Sequence, residues 1–83
     1  LNHQLYQKYL HDYLQEALGR VSHNTPAVMV YLSEMEMPGR FARHREERLK
    51  AITTLRQAFE EHRHWPLEIV ISHLGLDAKQ LLG

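Results

Sequence analysis

Between residues 2 and 21 the side chains of Tyr6, Leu10, Tyr13, Leu14, Ala17 and Val21 return at steps of three and four or as neighbours of those steps. That spacing lays them along one face of an α-helix, since 3.6 residues make a turn. Leu5, Tyr9 and Leu18 widen the face beyond the usual stripe. Burial on more than one side is therefore expected, with a partner chain as one candidate for the second side. Residues 22–25 read as a loop, in which Thr25 is expected to cap a second helix. Pro26 follows at the first helical position, where a missing amide donor costs nothing. The second helix is predicted over 26–37; the β-branched content of 28–32 would also suit a buried strand, and helix is the reading taken.

Pro38 and Gly39 read as a turn. Beyond it, Phe41, Leu49, Ile52, Leu55 and Phe59 fall on one face of a third helix predicted over 40–64. At 1.5 Å per residue it would be about 37 Å long, more than so small a domain needs. Pro66, the acid Glu68 in the first turn and Gly75 as a stop predict a fourth helix over 66–74. Asp77 is placed to cap a last turn through Leu82. Residues 67–81 resemble the first half of a helix-turn-helix, but Ile71 stands where a small residue is usual, so two core helices around a glycine turn is the reading adopted. The expected fold is all-α: a small irregular bundle of about four helices, two long (about 2–21 and 40–64) and two short (about 26–37 and 66–74), with a short C-terminal turn, in one domain over 1–83.

The chain has 83 residues, 43% hydrophobic and 24% charged, which suits a folded domain with a thin core. Ten Lys and Arg balance ten Asp and Glu, so the overall basic excess of a general nucleic-acid binder is missing. Cysteine is absent, which removes disulfides and thiolate chemistry and makes the cytoplasm the expected location. The longest apolar run, 27–32, is far short of a membrane span, and no membrane partner is expected. A first residue of Leu rather than Met leaves room for a piece of a longer protein.

Charge order changes the picture most. Arg40, Arg43, Arg45, Arg48 and Lys50 crowd the start of the predicted third helix against only Glu46 and Glu47, while Glu60 and Glu61 sit near its end. The helix dipole disfavours both placements. Simple solvation of exposed charges is one account. A second is self-association: two copies of the helix packed antiparallel about a centre near Ile52, with Leu49, Ile52, Leu55 and Phe59 as the seam. Arg43 and His44 of one copy would then face Glu61 and Glu60 of the other, with Arg45, Arg48 and Arg56 flanking the seam. In a third account Arg40, Phe41, Arg43, His44, Arg48 and Lys50 engage a partner. An acidic protein surface is favoured over nucleic acid, because glutamates interrupt the cations and no stacking aromatics are spaced among them.

Tyr6, Tyr9 and Tyr13 suit either a half-buried aromatic stripe or an interface, and Met29, Met35 and Met37 either core or an adaptable surface. The seven histidines lack metal-ligand spacing; His62 and His64 are two apart, so no metal or cofactor is expected. No phosphate-binding glycine loop, nucleophile elbow or zinc-protease motif occurs. The sequence thus predicts a non-enzymatic helical interaction module, a small regulatory or adaptor protein that forms a homodimer and binds another protein, with nucleic-acid binding as the alternative.

Overall fold

In the computed structural model, which describes residues 2–36 and 39–83, with the side chains of 39–41 excluded, the chain is all-α. The order is α1 (His3–Leu18), α2 (Thr25–Glu34), a 3-10 helix (Gly39–His44), α3 (Arg45–Glu61), α4 (Leu67–His73) and α5 (Ala78–Leu82). No strand occurs among the described residues, and both β-branched runs are helical, within α2 and α4.

Polar caps set most of the boundaries. Asn2 opens α1 by accepting the Leu5 amide at 3.1 Å, and Asp77 opens α5 by accepting that of Gln80 at 3.1 Å. At α2 the cap is Asn24, which accepts the Ala27 amide at 2.9 Å, rather than the expected Thr25. Thr25 is instead the first helical residue, buried, and its hydroxyl donates to the Trp65 carbonyl at 2.5 Å. α4 closes as foreseen at Gly75, with φ +81°, where the amides of Gly75 and Leu76 reach back to the carbonyls of Ser72 and Ile71. A residue with a β-carbon is strained in that left-handed conformation.

The predicted third helix departs most from expectation. His44, at φ −121° and ψ 45°, leaves helical geometry and divides the segment into the 3-10 helix and α3. α3 has 17 residues, about 26 Å, so the excess length that suggested a partner is gone. α1 stops at Leu18, with Gly19 as its cap, and α2 stops at Glu34. The second helix does not reach Met37 as expected, because Met35 turns extended at φ −64° and ψ 127°; the expected Pro38 turn lies outside the described residues.

α3 packs chiefly against α1 and then α2, with α4 and α5 closing the far end of the chain. The core takes Tyr9, Leu10, Tyr13 and Leu14 from α1, Val28 and Leu32 from α2, Ile52, Leu55 and Phe59 from α3, and Val70 and Ile71 from α4. The wide apolar face of α1 is therefore covered from within the chain. The radius of gyration, 11.9 Å, is close to the ~12 Å of a compact chain of this length.

Candidate functional site

The cations that the sequence grouped together separate on folding. Arg43, Arg45 and Lys50 are exposed, whereas Arg48 is only 6% exposed and cannot present its guanidinium to a partner. The side chains expected from Arg40 and Phe41 lie outside the described residues. A basic edge thus remains at the junction of the 3-10 helix and α3.

Three links hold this edge against α1. His44 Nδ1 and the Tyr9 hydroxyl are hydrogen-bonded at 3.0 Å, the Asn2 amide donates to Glu47 Oε1 at 3.4 Å, and Lys50 Nζ stands 5.0 Å over the Tyr6 ring. The Tyr6 hydroxyl donates in turn to Thr54 Oγ1 at 3.1 Å. His44, expected among the partner-binding residues, is exposed but also anchors this segment. Tyr9 and Tyr13 are core residues, which removes them as interface tyrosines.

Charge is distributed unevenly around the edge. Glu46 and Glu47 occupy the first turn of α3, where the dipole favours them. Glu47 is held below its ordinary carboxyl value of 4.5, chiefly by a hydrogen bond from its own backbone amide; desolvation opposes this, and the Asn2 amide adds to it. A lowered value stabilises the fold above the unfolded-state value, and that contribution is lost as pH falls through the folded one. Glu47→Gln is expected to lower the urea midpoint at pH 6 and to leave it equal to the parent's once the pH lies below the lowered value. An equal deficit at both pH values would disprove this assignment. By contrast, Arg43 and Arg45 form no ion pair among the described residues.

The expected self-association seam is overturned by burial. Ile52, Leu55 and Phe59 are 4%, 0% and 0% exposed, committed to the chain's own core, and only Leu49 of the four reaches solvent, at 39%. In this fold those three present almost no surface to a second copy. Arg56, expected beside that seam, instead turns back: its Nε donates to the Leu32 carbonyl at 2.5 Å and its Nη2 to that of Met35 at 2.6 Å. Sequence reading missed this bridge, and also the donation of His23 Nε2 to the Leu18 carbonyl at 3.0 Å at the end of α1. Both follow the preference of cationic or N–H side chains for helix C-termini.

Among the described residues no group of three His, Asp or Glu is placed to hold a metal ion, and no helix is long and apolar enough to cross a membrane. Compared with known proteins, the chain matches no protein-family model, no curated protein and no solved structure.

Proposed function

We propose that this chain is a non-enzymatic interaction module, of regulatory or adaptor type, whose basic edge of Arg43, Arg45 and Lys50 engages an acidic surface on a protein partner. The observation that carries the reading is the exposure of Arg43 and Arg45 without ion pairs among the described residues, with Arg45 at the start of α3, which disfavours cations. A cation placed against the dipole and left without a partner, as Arg45 is, weakens the free chain slightly and gains when a carboxylate arrives. The links from His44 and Glu47 to α1 reduce the ordering that binding must supply. The cysteine-free sequence suits a cytoplasmic setting. Self-association through the seam of Ile52, Leu55 and Phe59 is not part of this proposal, because those residues are spent in the core.

The test is an amide-resolved NMR titration with an acetylated tetra-glutamate peptide and, separately, with a short DNA duplex. The peptide is expected to shift the amides of residues 43–50, and Arg43→Glu with Arg45→Glu should weaken it at least tenfold. Stronger duplex binding, falling steeply with salt, would replace this reading with the nucleic-acid one. No shift with either probe would leave the edge as solvated charge and end the proposal.

A further inference from the structure

α2 ends in Glu34, and Glu36 follows just beyond its extended cap, Met35. Carboxylates there face the negative end of the helix dipole. Arg45 is the first residue of α3, where the positive end disfavours a cation. All three side chains are exposed, and none forms an ion pair among the described residues.

Two adjoining clefts carry the acids across to α3. Glu34, Met35 and Glu36 line the first, of about 360 Å³, together with Tyr31, Glu16 and Arg20. Met35 and Glu36 also line the second, of about 250 Å³, to which α3 contributes Leu49, Thr53 and Arg56. The cations of both clefts are committed within the chain: Arg20 pairs with Glu16 at 3.7 Å, and Arg56 donates to the carbonyls of Leu32 and Met35. Leu49, 39% exposed, forms an apolar step in the same cleft as Glu36. Arg45 precedes it by four residues and so stands on the same face of α3, about 6 Å nearer the helix start.

Along this surface the order is therefore acidic at Glu34 and Glu36, apolar at Met35 and Leu49, and basic at Arg45. Such a row is complementary to itself when a second copy is turned through half a circle about its apolar middle. An acidic partner would satisfy Arg45 alone, and a basic one Glu34 and Glu36 alone. A second copy satisfies both at once, in a chain whose formal net charge is zero.

We propose that two copies of this chain associate about a two-fold axis near Leu49, with Arg45 of each copy against Glu34 and Glu36 of the other. This rests on the proposed role of the basic edge and names the acidic surface that meets it. Leu49 and Met35 supply apolar contact at the centre, with the charges at its rim. Ile52, Leu55 and Phe59 stay in the core, so the interface is not the seam expected from the sequence. Glu60 and Glu61 take no part in it. They are exposed at the far end of α3, about 23 Å from Arg45 along the axis, where Glu61 accepts a hydrogen bond from Gln57 Nε2 at 3.1 Å.

Association is read as molar mass by light scattering on the whole chain at low salt, from about 10 μM to about 1 mM. The mass is expected to climb from that of one chain towards twice it. Arg45→Glu, and separately Glu34→Lys with Glu36→Lys, should each weaken association at least tenfold. The helix dipoles favour the new charges, so both variants keep the fold. Mixing the two should restore association, because every charge contact of the mixed pair again joins opposite signs. Glu60→Gln with Glu61→Gln should leave the affinity within about twofold. A single-chain mass at every concentration would overturn the proposal. So would a dimer indifferent to both charge reversals, one that the mixture fails to restore, or one that the Glu60 and Glu61 pair weakens equally, since that would mean attraction to negative charge at large. A single-chain mass together with amide shifts at 43–50 on adding the tetra-glutamate peptide would give the basic edge to another protein, so the two proposals fail separately.

Discussion

Phe59→Ala is expected to lower the unfolding free energy by about 3–5 kcal/mol, the range for truncating a fully buried phenylalanine. The side chain is 0% exposed and belongs to the single core cluster that joins α1, α2, α3 and α4. Removing the ring forfeits its transfer free energy and leaves a cavity that the surrounding helices fill only in part. A domain of this size has a stability of roughly 4–12 kcal/mol, so the variant will stand close to unfolding at room temperature. Phe59→Leu, a smaller truncation, keeps the comparison measurable. Urea denaturation at two protein concentrations provides the check. If Phe59 belongs to the core, the midpoint falls equally at both concentrations; a midpoint that rises with concentration in the parent alone would restore Phe59 to an interface between chains.

Replacing Arg56 by methionine is expected to cost about 2–3 kcal/mol, although the methionine keeps much of the apolar stem. The guanidinium donates to two carbonyls at the end of α2, those of Leu32 and Met35. Hydrogen bonds from charged groups contribute about 1.5–3 kcal/mol, and a cation at a helix C-terminus adds a few tenths. Arg56 is half-buried, so solvent screening takes back part of the sum. Arg56→Lys should recover only a fraction, because an ammonium on a flexible stem cannot hold both carbonyls as the planar fork does. Thermal unfolding of the three proteins measures this, and a methionine variant as stable as the parent would show that the bridge contributes nothing in solution.

The fold was largely legible because its strongest signals are local. The spacing of Leu10, Tyr13, Leu14 and Ala17 specifies one helix face, and Gly75 followed by Asp77 marks the end of one helix and the cap of the next whatever surrounds them. The break at His44 was missed for a physical reason: no glycine or proline marks it. The helix start is signalled only by Glu46 and Glu47 in a first turn that the sequence alone does not delimit. The seam was misassigned because the spacing of Leu49, Ile52, Leu55 and Phe59 says that they share a face and is silent about what they face. With α1, α2 and α4 available to pack against, the interior took three of the four.

The candidate site was legible only as a charge pattern. Nothing in the sequence distinguishes Arg48, buried, from Arg45, exposed three residues earlier, since burial depends on the roll of α3 against α1. Asn24 and Thr25 are both good caps by residue type, and the loop geometry chose the first, freeing the second to reach Trp65.

The links that hold the basic edge join residues remote in sequence: 35 positions for Tyr9 to His44, 45 for Asn2 to Glu47 and 44 for Tyr6 to Lys50. Each closes a long loop, and the entropy of closing it is spent before the contact stabilises anything. The edge therefore forms only with the docking of α1 on α3, and it loosens if α1 frays. A synthetic peptide copied from α3 would carry Arg45 and Lys50 and still lack the surface, because that surface is a property of chain closure rather than of any one segment.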